Sequence, residues 1–195
     1  MEDVVAALLD QLAELESIVA GLDGDRWATP SACPGWTVRH VLVHLAQTNE
    51  AAIASVGGGR EAVAAMWSTT TSGRTVDDIA AAAVEGNDLD GPEVHAWWKR
   101  TADEMVAAFE ACDPRARVPW VVGEMAARTL CTTRLAETWI HTTDVAVGLD
   151  VELAPTDRLW HIARLVQRTL PYAFEREGLE PPGPVRFELA PPGGE

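Results

Sequence analysis

Apolar side chains recur at spacings of three and four residues along most of this chain, and that period marks one face of an α-helix. In the first segment the apolar positions run from Val5 to Leu22, while Asp10, Glu14 and Ser17 fill the opposite side. The pattern predicts an amphipathic helix over about residues 2 to 22. The same reasoning predicts further helices over about residues 38 to 55, 75 to 85, 92 to 113, 125 to 148 and 156 to 176.

The breaks between these segments carry residues that begin and end helices. Pro34-Gly35 suits the central pair of a type II turn, and Thr37 can cap the helix that follows. That helix is predicted to end at the three glycines of residues 57 to 59, and residues 60 to 74 are expected to form a weakly ordered connection. Gly148 ends the helix over residues 125 to 148.

Long helices joined by turns predict an all-α fold, an antiparallel four-helix bundle with one or two extra short helices. The bundle domain is predicted to cover residues 1–178, and residues 179–195 form a tail rich in proline and glycine. Within the tail only Val185 to Leu189 alternates like a strand, and one strand cannot form a sheet alone. We expect it either to pack on the bundle or to begin an absent or truncated C-terminal domain.

Composition narrows the classes of partner. The 195 residues include 30 acidic and 15 basic ones, for a formal charge of −15, which disfavours nucleic acid and anionic membranes. The acidic start is unlike a secretory signal, and no segment approaches the roughly 20 apolar residues of a membrane span, so we expect a cytoplasmic protein. Three scattered cysteines indicate neither a disulfide framework nor a thiolate zinc site.

The helix over residues 125 to 148 carries four ionisable side chains on one ridge, namely Arg134, Glu137, His141 and Asp144. Glu137 and His141 lie one turn apart, so a carboxylate oxygen and an imidazole nitrogen can approach one metal ion. The alternative is a solvated face with weak ion pairs, each contributing about 0.3 to 0.5 kcal/mol. Because this helix is apolar almost all the way round, the ridge is expected to line a cavity inside the bundle.

The stretch "RHVLVHL" supplies a candidate third ligand, because His40 and His44 lie one turn apart. His44 borders the apolar stripe of its helix and can face the bundle interior, whereas His40 lies in the first turn, towards Arg39 and solvent. We therefore predict a metal site formed by His44, Glu137 and His141. Two imidazoles and one carboxylate leave coordination positions open, which is typical of catalytic rather than structural sites.

The segments "ACPGWTVRHVLVHLA" and "RLAETWIHTTDVA" resemble the DinB-like superfamily, and within it the metal-binding proteins related to mycothiol-dependent maleylpyruvate isomerase. The resemblance implies an up-down-down-up bundle, zinc on the three predicted ligands, and thiol-dependent chemistry on small molecules. The family usually has aspartate at the position of His40, so His40, with Trp36, is assigned to the cofactor pocket. Relatives commonly carry a small α/β domain after the bundle, whose first strand Val185 to Leu189 resembles.

The expected function is therefore that of a zinc enzyme using mycothiol or another low-molecular-weight thiol, as an isomerase or S-transferase on a small-molecule substrate. Asp144 and Arg134 are the candidate catalytic residues: Asp144 can orient a ligand or act as a base, and Arg134 can bind an anionic substrate or neutralise Glu137. The alternatives are a non-haem iron or hydrolytic metalloenzyme on the same residues, and a non-catalytic metal- or ligand-binding bundle. The chain is expected to be a monomer or a homodimer.

Overall fold

The computed structural model describes residues 1–59, 61, 63, 76–121, 123–190 and 192, with the backbone alone at 76–79. Six helices correspond to the predicted ones: α1 (Glu2–Val19), α2 (Val38–Gly57), α3 (Val76–Glu85), α4 (Gly91–Ala111), α5 (Ala127–Leu149) and α6 (Leu159–Arg176). A short 3-10 helix spans Gly24–Ala28. The predicted connection over residues 60 to 74 lies outside the described residues, apart from Glu61 and Val63.

The core lies between the four long helices α1, α2, α4 and α5. Helices α1 and α2 each pack against both α4 and α5, so that α1 and α2 occupy opposite corners of the bundle. Each helix turns its apolar stripe inward, as its spacing predicted. The largest buried apolar side chains include Leu8, Leu15, Leu42, Leu45, Trp98, Met105, Phe109, Leu130 and Leu135. The predicted class, an all-α fold built on a four-helix bundle, is confirmed.

The turn before α2 has the predicted form. Trp36 N–H donates to the Cys33 carbonyl at 3.1 Å, and Gly35 at φ 81° takes the left-handed position that a type II turn requires. The Thr37 hydroxyl then accepts from His40 N–H at 3.4 Å, while Thr37 N–H donates to His40 Nδ1 at 3.3 Å. The two bonds form a capping box that fixes where α2 begins.

The segment preceding α2 is held against α5 at two points. Ala32 N–H donates to the Asp144 carbonyl at 3.0 Å. One turn further along α5, a Cβ atom on Gly148 would lie 2.4 Å from the Pro30 carbonyl oxygen, so only glycine allows the two backbones to approach this closely. The close approach positions the residues around Trp36 over α5.

A β-hairpin between α4 and α5 was not predicted. Strands β1 (Arg117–Trp120) and β2 (Gly123–Ala126) pair antiparallel, with Trp120 opposite Gly123, and Ser55 Oγ at the end of α2 donates to the Pro119 carbonyl. The strand-like segment 185–189 has no regular secondary structure, since an alternating segment forms no sheet without a second strand. Its assignment to the bundle surface or to a further domain stays a prediction.

The chain divides into two compact units, Met1–Leu153 and Ala154–Glu195, and the second contains α6 and the tail. Helix α6 is strongly amphipathic by itself and contains Pro171. The predicted division at residue 178 stays a prediction. Among the described helices, none has the length and apolar character needed to cross a bilayer.

Candidate metal centre

Helices α2 and α5 bring the three predicted metal ligands together. His44 Nε2 lies 3.7 Å from Glu137 Oε2, and His141 Nε2 lies 3.8 Å from the same oxygen. One ligand atom from each residue lies within 4.8 Å of the other two. Since the two histidines are 97 positions apart (141 − 44), packing of the bundle rather than local sequence creates this cluster.

The cluster is partly shielded from solvent. The His44 and His141 side chains are 13% and 11% exposed, whereas Glu137 is 42% exposed. The His44 and His141 rings meet edge to face with centroids 5.0 Å apart. The histidines are therefore held in place by packing, while the carboxylate remains accessible from the open side.

Electrostatics keeps Glu137 ionised. Burial opposes its ionisation, but the neighbouring His44 imidazole and the charges of Arg134 and His141 outweigh that effect and lower the pKa of Glu137 to about 2. Burial and the charge of His44 lower the pKa of His141, although two nearby carboxylates act in the opposite direction. A carboxylate and a neutral imidazole are the forms in which these residues bind metals.

Asp144 fixes the orientation of His141. Its Oδ2 lies 2.9 Å from His141 Nδ1, one turn further along α5, and the Asp144 side chain is only 20% exposed. A proton on Nδ1 donated to this carboxylate leaves Nε2 with a free lone pair directed at Glu137 and His44. Such carboxylate–imidazole pairs orient metal-binding histidines and raise their basicity.

The two residues predicted for the cofactor pocket have different placements. The Trp36 ring lies 5.1 Å from the His44 ring and 6.2 Å from the His141 ring, so it covers both imidazoles. His40 instead forms the capping box with Thr37, and burial and Arg39 lower its pKa. It does not occur among the described residues that line the cavity, so its assignment to the pocket stays a prediction.

The cluster opens into a cavity of about 630 Å³, within the range of small-molecule sites. Its described lining comprises Cys33, Pro34, Trp36, His44, Thr48, Ala80, Ala81, Trp120, Val121, Met125, Thr133, Arg134, Glu137 and His141. Sequence reasoning missed most of the wall. Thr48 was detectable, because it lies one turn after His44 on α2, but Met125 required knowledge of the hairpin.

Arg134 is a charged residue of this lining with 1% exposure. Its Nη2 donates to Thr48 Oγ1 at 2.8 Å, and its Nε is buried without a hydrogen-bond acceptor. Burial lowers the pKa of the guanidinium, and the charge of Glu137 opposes that shift. Within the described part of the chain, no carboxylate forms an ion pair with it at 4 Å or less.

Other cysteine, histidine and tryptophan residues differ in their placement. Cys131 is fully buried, and burial raises the pKa of its thiol to about 12, which disfavours the thiolate near neutral pH. His95 on α4 has a carboxylate partner that the sequence did not reveal, since its Nε2 lies 2.8 Å from Glu16 Oε2 on α1. Trp120 lines the cavity, whereas Trp139 is absent from the described lining.

The chain is similar to several known proteins. The uncharacterized proteins Rv0036c and MT0041 of Mycobacterium tuberculosis, from strains H37Rv and CDC 1551, are each 35% identical to this chain over 192 residues, which is 98% of the chain and 74% of either relative. Crystal structures of the mycothiol-dependent maleylpyruvate isomerase and of its histidine-to-alanine mutant match with TM-scores of 0.67 and 0.66. Both are 16% identical, and the match covers 92% of this chain and 72% of theirs.

The model of one family, described as the mycothiol maleylpyruvate isomerase N-terminal domain, matches residues 8–146. That range begins within α1, ends within α5, and includes all three candidate ligands. The chain belongs to the family of the mycothiol maleylpyruvate isomerase N-terminal domain.

Proposed function

We propose that this protein is a zinc enzyme that uses a low-molecular-weight thiol, of the mycothiol type, in isomerase or S-transferase chemistry on a small molecule. The observation that carries the proposal is the convergence of the His44, Glu137 and His141 ligand atoms to within 4.8 Å beside a cavity of about 630 Å³. Family membership and the likeness to the mycothiol-dependent maleylpyruvate isomerase support the thiol.

The residues present fit a zinc ion. Nitrogen and carboxylate ligands lie about 2.0 to 2.2 Å from zinc, so two tetrahedral ligand atoms are about 3.4 Å apart. The separations of 3.7 and 3.8 Å from Glu137 Oε2 to the two imidazole nitrogens need only small side-chain movements to reach that value. Asp144 already orients His141 as a zinc-binding histidine requires.

Zinc bound there would supply a Lewis acid that lowers the pKa of a thiol near neutral pH. The chain itself supplies the surroundings. Trp36, Trp120 and Met125 form apolar parts of the cavity wall beside the three candidate ligands. The Asp144 carboxylate can accept the Nδ1 proton of His141, which favours the tautomer with a free Nε2 and restrains the ring.

In the chemistry proposed, the thiolate sulfur adds to one carbon of an electron-poor double bond, and the electron pair moves to the activating group. Rotation about the resulting single bond followed by loss of the thiolate restores the double bond with the other geometry, which is isomerisation. If the neighbouring carbon takes up a proton instead, the C–S bond is retained and the reaction is a transfer. A cavity of about 630 Å³ has room for a thiol and a small acceptor together.

The same donor set suits non-haem iron, and a site with open positions can also activate water for hydrolysis. A bundle that binds metal or ligand without catalysis would use the same residues. These alternatives are separated by which metal copurifies and by which reaction the loaded protein accelerates. A cytoplasmic location and a monomeric or homodimeric state stay predictions.

The test is elemental analysis of the purified protein beside His44→Ala and Glu137→Gln. We expect about one zinc per chain in the wild type and less than about a tenth of that in each variant, because two ligands hold zinc poorly. His95→Gln is the matched control, since it removes an imidazole of another His–carboxylate pair and should leave zinc unchanged.

Activity is then measured by incubating the zinc-loaded protein with N-ethylmaleimide or with an α,β-unsaturated acid such as maleate, with and without mycothiol. Thiol-dependent adduct formation or geometric isomerisation, lost in Glu137→Gln, would support the proposal. A wild-type protein that carries no zinc, or carries it without accelerating any thiol-dependent reaction, would contradict it.

A further inference from the structure

Cys33 is a partly exposed thiol in the cavity wall that the metal cluster leaves unused. Among the described residues, the ligand atoms that converge within 4.8 Å come from two histidines and Glu137, and not from Cys33. The turn holds the Cys33 backbone in place, because its N–H donates to Ser31 Oγ at 3.2 Å and its carbonyl accepts from Trp36 N–H at 3.1 Å. A thiol on a fixed backbone therefore lines the same space as the cluster.

Contacts on both sides of Cys33 connect it to the His141 end of the cluster. The preceding residue, Ala32, donates its N–H to the Asp144 carbonyl at 3.0 Å, and the Asp144 carboxylate lies 2.9 Å from His141 Nδ1. The ring of Trp36, later in the same turn, covers the His141 ring with centroids 6.2 Å apart. A molecule whose sulfur approached the cluster would thus have Cys33 in the adjoining wall.

The cavity also contains a second sign of a ligand, independent of the cysteine. Arg134 lines the wall with 1% exposure, and its buried Nε–H has no acceptor among the described residues. A buried donor without an acceptor is destabilising, so a bound molecule that brings oxygen atoms gains a hydrogen bond there. The hydroxyl and amide oxygens of a sugar- or peptide-based thiol meet that need.

We propose that Cys33 is a modification site, at which a low-molecular-weight thiol attaches as a mixed disulfide and reversibly closes the cavity. The inference rests on the proposed function, because it needs the same class of thiol to bind beside the cluster. The reagent is the symmetrical disulfide of that thiol. Its noncovalent binding places an S–S bond within reach of the Cys33 sulfur, and the mixed disulfide then fixes one thiol unit in the space that a substrate requires.

The chemistry is thiol–disulfide exchange. The Cys33 thiol loses its proton to water, the thiolate attacks one sulfur of the disulfide, and the new S–S bond forms as the original one breaks. The departing thiolate takes up a proton, so atoms and electrons balance without a further oxidant. Burial, with a smaller contribution from the charge of Asp144, raises the pKa of Cys33, so the thiolate is scarce and exchange with disulfides in bulk solvent is slow. Selective modification therefore depends on binding in the cavity.

Cys112 provides the matched control. It is also partly exposed, and burial also raises its pKa, but it lies at the end of α4 and outside the described cavity lining. The wild type is incubated with mycothiol disulfide, and each thiol is followed by peptide mass spectrometry. We expect Cys33 to be modified about tenfold faster than Cys112, because binding raises the local concentration of disulfide at one thiol only. With 2-hydroxyethyl disulfide, a small neutral reagent, the two rates should agree within about threefold.

Two further measurements test whether the cavity directs the reaction. S-methyl mycothiol occupies the cavity without an exchangeable thiol, so it should slow modification of Cys33 and leave that of Cys112 unchanged. In Cys112→Ser, the mixed disulfide at Cys33 should abolish binding of S-methyl mycothiol in calorimetry, and reduction with a phosphine should restore it. In Cys33→Ser, treatment with mycothiol disulfide should leave that binding intact.

Equal rates at Cys33 and Cys112, or modification of Cys33 that S-methyl mycothiol does not slow, would overturn the inference. If zinc and thiol-dependent chemistry are found without a preference for Cys33, only the modification site fails. If Cys33 is modified selectively in a protein that binds no zinc and accelerates no thiol-dependent reaction, the proposed function fails and the modification site remains.

Discussion

Two regions of the bundle contain histidine beside carboxylate and tryptophan, yet they differ in geometry. Between α1 and α4, His95 Nε2 lies 2.8 Å from Glu16 Oε2. The ring centroids of Trp27 and Trp98 each lie 6.1 Å from the centroid of the His95 ring. Between α2 and α5, two imidazole nitrogens lie 3.7 and 3.8 Å from one oxygen of Glu137. The first pair is directly hydrogen-bonded, and the second group is not.

The difference shows what makes a site from common residues. In the His95–Glu16 pair each group satisfies the other, so the contact connects two helices and leaves nothing for a ligand. In the cluster of His44, Glu137 and His141 the candidate ligand atoms are too far apart for direct hydrogen bonds, and they surround a shared point beside a cavity. Both regions place imidazole and carboxylate groups between two helices, so the distances between the polar atoms and the adjoining cavity distinguish a structural contact from a candidate binding site.

The largest effect should come from breaking the cluster. Zinc at about 1,000 times its dissociation constant should add about 4 kcal/mol to the free energy of unfolding of the wild type, because it binds only the folded state. Glu137→Ala should abolish this zinc-dependent gain. Thermal melts with and without added zinc measure it.

His95→Gln provides the contrast in the same experiment. It should lower the baseline melting temperature and leave the zinc-dependent gain intact, because His95 lies outside the cluster. Comparable gains in Glu137→Ala and the wild type would show that the cation binds elsewhere.

Substitution of either of two glycines should displace the residues packed around one of the two regions without affecting the other. A Cβ on Gly91 would lie 2.1 Å from Trp27 Cγ, beside His95, and one on Gly148 would lie 2.4 Å from the Pro30 carbonyl oxygen, in the segment leading to Trp36. Gly91→Ala and Gly148→Ala should each cost about 1 to 3 kcal/mol by overpacking. Only Gly148→Ala should also weaken zinc binding, as measured by competition with a chromophoric chelator; equal zinc affinities in the two variants would break this distinction.

The sequence was sufficient for the helices and for the proximity of Glu137 and His141 on one ridge, because both follow from a period of 3.6 residues. Thr37 and the Pro34-Gly35 turn were predictable for a similar reason, since their chemistry is local. The hairpin was not, because Trp120-Val121-Val122-Gly123 lacks the Asn-Gly or Asp-Gly pair that signals a tight turn.

Contacts between distant segments were also beyond the sequence. Glu16 and His95 are separated by 79 positions, so only packing of α1 on α4 reveals their pairing. The same holds for Cys33, which enters the cavity because the turn before α2 is held against α5. Among the described residues Arg134 has a hydroxyl rather than a carboxylate as its side-chain partner, and no spacing along α5 encodes that pairing.

A smaller effect on zinc affinity is expected from substitution of Asp144, which orients His141 but is not one of the three candidate ligands. Asp144→Ala removes the acceptor of the His141 Nδ1 proton, 2.9 Å away, and should weaken zinc binding by about 10- to 100-fold. Asp144→Asn keeps a hydrogen-bonding oxygen and should fall between Asp144→Ala and the wild type. Chelator competition measures all three; an unchanged affinity in Asp144→Ala would mean that His141 needs no partner to point at the metal.

The smallest effect should come from the His95–Glu16 pair. Glu16→Gln keeps a hydrogen-bonding oxygen near His95 but removes the charge, and both side chains are partly exposed, at 31% and 23%. Solvent screening limits the contribution of such a pair, so the free energy of unfolding in urea should fall by about 1 kcal/mol or less. Zinc content and affinity should equal those of the wild type, because Glu16 connects helices and has no part in the cluster. If Glu16→Gln instead lowered zinc affinity as much as Asp144→Ala does, the two regions would be energetically coupled through α1 and α5. The His95–Glu16 pair could then no longer be treated as a structural contact independent of the cluster of His44, Glu137 and His141.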